Sequence, residues 1–131
     1  MISVPADHNI EGHAIRLWDT FVTEGWIGLC PIELVMFADV GLAVSSSDRE
    51  VRRFAQRNQM ILLTDNRNMK GKDSPARTLR EENTPTSFPV LTIGSSERIH
   101  EREYRQRCVS GLVEIITDSD KYMGTGRLFI P

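Results

Sequence analysis

The sequence predicts an α/β protein built on a mainly parallel sheet, and three observations carry that reading. Short apolar runs alternate along the chain with segments patterned at helical spacing, which favours strands joined by crossover helices. The run at 60–64 is apolar almost throughout, as expected for a strand covered on both faces. Two runs stop abruptly at an acid, Ile2-Ser3-Val4-Pro5-Ala6-Asp7 and Ile61-Leu62-Leu63-Thr64-Asp65. Ligands in α/β proteins gather outside the carboxyl ends of parallel strands, so acids at two such ends predict one shared polar cleft.

After the opening strand, Asn9 is a good N-cap for a first helix, in which Ile10, Ala14, Leu17, Trp18, Phe21 and Val22 recur at helical spacing until Gly25 closes it. Residues 33–37 read as a second strand and 38–46 as a loop, with Gly41 permitting a turn. Ser47-Asp48-Arg49-Glu50 has the spacing of a capping box, so a helix over 48–58 is expected to bury Val51, Phe54 and Ala55. The strand at 60–64 then runs into a polar loop over 65–73. Ser74 followed by Pro75 reads as an N-cap and first helical residue, for a helix ending near Glu82 or Asn83.

A strand follows at 88–93, with Pro89 near its start or on an edge. A long helix over 97–117 places Tyr104, Cys108, Val109, Leu112, Val113 and Ile116 on one face. Its other face is a charge mosaic, with Glu101 spaced to pair with Arg105 and Glu103 with Arg107. The tail at 124–131 has room for a short edge strand.

The length of 131 residues predicts one domain spanning 1–131, and the 40% apolar and 26% charged residues fit an ordinary globular domain. A net charge of −2 excludes bulk electrostatic attraction to nucleic acid, so such binding needs a local basic patch or a bridging metal. Two cysteines, Cys30 and Cys108, no signal-like start and no apolar stretch near 18 residues read as a cytoplasmic chain with reduced thiols and no membrane association.

Each candidate site residue has a plain structural role beside a functional one. Asp7 either fixes a loop or serves a site between strand and helix cap. Asp48 sits in a helix first turn, where the dipole stabilises a carboxylate in any case. Asp65 is an Asx-turn residue or a site acid, and Asn66 and Asn68 divide the same way. Arg67 binds a phosphate or forms a salt bridge, while Asp73 is better read as opening the next helix. His8 and His13 flank the start of the first helix without marking either as a general base. Arg49, Arg52, Arg53 and Arg57 lie near Asp48 with only Glu50 as a nearby counter-charge. The glutamates among Arg98, Arg102, Arg105 and Arg107 favour a solvated helix there. Gly124-Thr125-Gly126-Arg127 lacks the context and lysine of a P-loop and reads as a turn.

The acid after the first strand, the Ser-Asp opening of the middle helix and the Ile-Leu-Leu-Thr strand running into an Asp/Asn-rich loop resemble the PIN-like domains, specifically small bacterial members related to toxin-type ribonucleases. The resemblance spans roughly residues 2–93. It implies a three-layer α/β/α sandwich, an acidic pocket at the carboxyl edge of the sheet, and Mg²⁺- or Mn²⁺-dependent cleavage of RNA. By that comparison Asp7, Asp48 and Asp65 are the catalytic and metal-binding acids, Asn66 and Asn68 complete the metal set, and Asn9, Arg49, Arg52 and Arg67 face the substrate. RNA, an antitoxin-like partner protein and a second copy of the chain are the partners in view. PIN-like relatives commonly carry acids where this chain has Asn66 and Asn68, and an amide oxygen binds a hard cation without neutralising its charge. A silent binding module for RNA, a nucleotide or a partner protein is therefore the competing class. A third class, a phosphate-handling enzyme of receiver or hydrolase type, needs a lysine or threonine partner after a later strand, for which Thr64 and Thr92 are the candidates.

Overall fold

The computed structural model describes residues 1–65 and 81–131. Strand β1 (Ile2–Pro5) pairs in parallel with β2 (Ile32–Val35), and β3 (Leu63–Thr64), β4 (Val90–Thr92) and β5 (Arg127–Phe129) form a parallel trio. Ala6 bridges Leu63, the Asp7 amide donates to the Leu63 carbonyl at 2.9 Å, and the Ile61 amide donates to Ser3 at 3.2 Å. Read across, the strand order is β2-β1-β3-β4-β5, all parallel. The predicted α/β class holds, and the tail supplies the edge strand expected of it.

Among the described residues the helices include α1 (Glu11–Thr23), α2 (Phe37–Val40), α3 (Asp48–Arg57), α4 (Arg102–Thr117) and α5 (Ser119–Tyr122). Gly25 closes α1 and Gly41 closes α2 in left-handed backbone at φ of 83° and 78°, which side chains with a Cβ rarely adopt. The Ser47 capping box forms as spaced: Glu50 donates its amide to Ser47 Oγ at 3.2 Å, and the Ser47 amide donates to Glu50 Oε1 at 3.1 Å.

Several boundaries differ from the sequence expectation. Asn9 caps no α-helix; it lies exposed inside a 3-10 turn (His8–Ile10), because Asp7 is still held to β3 and the chain needs a tight turn before α1. The loop at 38–46 contains α2, and strand β2 begins earlier than predicted, at Ile32. Helix α4 starts only at Arg102, after a 3-10 turn at Ser96–Arg98. Glu101 therefore precedes the helix and reaches back to Arg98 at 3.0 Å instead of forward to Arg105. Arg105 ties α4 to α1 through Thr20 Oγ1 at 3.1 Å and to the Ile99 carbonyl at 2.8 Å. Glu81 and Glu82 are helical, matching the predicted end; the start at Ser74 and Pro75 lies outside the described residues.

Strand alternation feeds two cores. Ile61, Leu63 and Leu91 join Val4, Phe21, Cys108, Val109 and Ile116 in a large core with α1 and α4. Leu62 and Val90 join Phe37, Val51 and Ala55 in a small one with α2 and α3. Val22, predicted buried, is exposed, and Phe54 is half-buried. Among the described residues no helix is long and apolar enough to cross a membrane.

Candidate functional site

From β1 the chain runs to β2 on one side, then returns past β1 to β3 on the other, so the carboxyl ends of β1 and β3 open a crevice at the reversal of strand order. Asp7 lies just beyond β1 and Thr64 ends β3. The Thr64 hydroxyl donates to Asp7 Oδ2 at 2.9 Å, joining residues 57 apart in sequence. Asp48 enters from the first turn of α3, where the capping box fixes the helix start. Asp7, Asp48, Arg52 and Thr64, walled by Val51, Leu62 and Val90, line a cavity of about 20 Å³. That volume admits one water-sized occupant.

Arg52 gives the cavity its electrostatic character. Its side chain is buried, with 4% exposure, and Nη2 donates to Asn83 Oδ1 at 3.2 Å. Nε has no hydrogen-bond partner among the described residues. Burial pushes the guanidinium pKa down while the charge of Glu82 pushes it back up; an arginine stays protonated under both. A fixed cation therefore sits among carboxylates, four residues after Asp48 on the same helix.

Two carboxylates and a hydroxyl are hard oxygen donors, and Mg²⁺ is commonly held through one or two carboxylates with waters or phosphate completing the shell. The residues at the cavity fit such an ion. Among the described residues no group of three or more histidine, cysteine or acidic side chains gathers, so the donors are Asp7, Asp48 and Thr64.

Of the predicted site residues, the structure brings Asp7, Asp48 and Arg52 together. Asp65 is half-buried and absent from the cavity lining; strand alternation puts Leu62 and Thr64 on the cavity face and assigns Asp65 to the side of Leu63. Asn66, Arg67, Asn68 and Asp73 lie outside the described residues. Asn9 is exposed in its turn. Arg49, expected to face substrate with little counter-charge, is instead ion-paired to Glu81 at 2.8 Å and to Glu82 at 2.5 Å, because the segment after the polar loop packs its acids against α3. Glu82 also accepts from Arg53 at 2.7 Å.

The weaker candidates resolve simply. His8 lies 3.5 Å from Glu11 and packs its ring 6.1 Å from that of Phe37. Cys30 and Cys108 are buried free thiols, and burial pushes Cys108 up to about 11, an inert thiol at neutral pH. Gly124 and Gly126 turn the chain at φ of 81° and 86°. Thr92 is fully buried, its hydroxyl without a partner among the described residues, and it lines no cleft there.

Sequence reasoning named Thr64 only as a candidate threonine of the phosphate-handling class and did not place its hydroxyl on Asp7. The available signal was its alternation with Leu62 at the strand end, which sends both to one face. No family model, curated protein or solved structure matches this chain.

Proposed function

We propose that this chain is a PIN-like domain, a three-layer α/β/α sandwich, acting as a Mg²⁺- or Mn²⁺-dependent endoribonuclease in the cytoplasm. The observation that carries the reading is the meeting of Asp7 and Asp48 in one ion-sized cavity at the strand-order reversal. A role as the toxin-like half of a two-protein system, opposed by an antitoxin-like partner, rests on the sequence resemblance alone.

Asp7 and Asp48 are the residues to hold the ion. The ion, when bound, supplies hydroxide from its water and neutralises phosphate charge. Thr64 holds one oxygen of the Asp7 carboxylate in place. Arg52, always protonated and facing the same cavity, offers its guanidinium to the charge that develops on the phosphoryl oxygens.

The test is Mn²⁺ binding and cleavage of a mixed single-stranded RNA by wild type, Asp7→Asn, Asp48→Asn and Thr64→Val. Loss of the supporting Thr64 hydroxyl is expected to cost about 10–100-fold, and loss of either acid at least that much. Variants that cut as fast as wild type, or a wild type that neither binds Mn²⁺ nor cuts, would sink the reading. One observation favours a second reading, a silent RNA-binding module: the buried Arg52 guanidinium already offsets part of the negative charge an ion would meet. RNA retention without cleavage at saturating Mn²⁺ selects it.

A further inference from the structure

A groove of about 450 Å³ runs along α3, lined by Arg52, Arg53, Gln56, Arg57 and Glu82 among others. Its volume is that of a small-ligand site rather than of a single ion. We propose that this groove is a phosphate-binding subsite, holding a phosphodiester of the same RNA strand that reaches the cavity of Asp7 and Asp48. The inference rests on the RNA reading above.

Three observations carry it. Arg52 lines both the groove and the acidic cavity, so the two are contiguous through one side chain. Arg52 is more than nine-tenths buried and its Nε lacks a hydrogen-bond partner among the described residues, a donor whose desolvation is uncompensated until an acceptor arrives. The acids of the groove are committed elsewhere: Glu50 to the α3 cap, Glu82 to Arg49 and Arg53. Among the described residues Arg57 thus has no carboxylate partner, and Arg52 Nε has no acceptor. A phosphodiester supplies what they lack, a delocalised anion whose oxygens match the guanidinium fork.

The experiment is anisotropy of a labelled short single-stranded RNA with EDTA present, over a series of salt concentrations, for wild type, Arg57→Gln, Arg57→Lys and Glu82→Gln. Arg57 lies exposed in the last turn of α3, away from either core, and its replacement is expected to leave the fold intact. Arg57→Gln should weaken binding about tenfold and flatten the salt dependence by about one released counterion. Arg57→Lys should keep the salt slope, and Glu82→Gln should tighten binding by removing a carboxylate charge from the groove lining. Wild-type affinity and slope in Arg57→Gln overturn the proposal. So does a site that takes inorganic phosphate in an Arg57-dependent way without retaining RNA, which marks a free-phosphate pocket. If RNA binds through Arg57 but is never cut with Mn²⁺, the nuclease reading falls and the subsite stands; cleavage with no Arg57 effect gives the reverse.

Discussion

The two cores of this molecule are held by different forces. The large core packs α1 and α4 on β1, β3 and β4 through apolar contact, with Phe21, Leu91, Cys108 and Val109 essentially sealed. Among the described residues the small core has Phe37, Val51, Ala55, Leu62 and Val90, with Leu42 and Met60 packed against it. Its margin is closed by a polar stripe on α3: Arg49, Arg52, Arg53 and Gln56, at helical spacing, fasten the segment 81–88. Glu82 takes Arg49 and Arg53, Asn83 takes Arg52, and Gln56 makes two hydrogen bonds with the Phe88 backbone, at 2.8 and 2.9 Å. The candidate cavity lies on this second side. Burial is indifferent to pH and modest salt, whereas charged and directional contacts are not, so the side carrying the site should be the more sensitive to both.

The largest expected effect belongs to the apolar side. Phe21→Ala should destabilise by about 3–5 kcal/mol in urea unfolding, since the ring is fully buried and its cavity cannot collapse. Leu62→Ala should cost about 2 kcal/mol, the low end for such a truncation, because its neighbourhood already borders a cavity. Equal losses for the two would erase the distinction between the cores. Gln56→Leu should cost about 1–2 kcal/mol by leaving both backbone groups of Phe88 unmet, and a neutral result would mean that water or a shift of the segment replaces them.

The smallest effect is the most diagnostic. The hydrogen bond from Arg53, helped by the Arg53 and Arg49 charges, holds the Glu82 carboxyl below its usual range. A depressed carboxyl pKa contributes stability that is complete above the unfolded value of about 4.3 and lost as pH falls through the folded one. Glu82→Gln should cost about 0.5–1 kcal/mol at neutral pH, kept small by solvent screening, and should flatten the acid limb of a Tm-against-pH curve. Parallel curves for variant and wild type would show that the pair contributes nothing.

These contrasts also mark what was legible in the sequence. The capping box at Ser47, the closures at Gly25 and Gly41 and the buried face of α4 are local patterns, written in residues a few positions apart, and they formed as spaced. The shared cleft was half legible: the strand-end position of Asp7 and the helix start at Asp48 pointed to it, but alternation turned Thr64 rather than Asp65 into the cavity. The partners of the α3 arginines were not legible, because Glu81 and Glu82 lie about thirty residues downstream and ordinary spacing rules stop at one helical turn. Arg52 stood out only as one of four arginines near Asp48, with no sign that it would be buried. Only the packing of segment 81–88 over α3 buried it.

The interior place of β1, between β2 and β3, has a consequence in time. Ile2 of β1 pairs with Ile32 of β2, but the other edge of β1 waits for Ile61 and Leu63, and Asp7 gains its Thr64 partner only across 57 positions of chain. Contacts of that sequence separation close late, after the loop between them has been ordered. A nascent chain ending short of Thr64 carries Asp7 and Asp48 with no cavity for them to line. The cavity is thus complete only once β3 has joined β1.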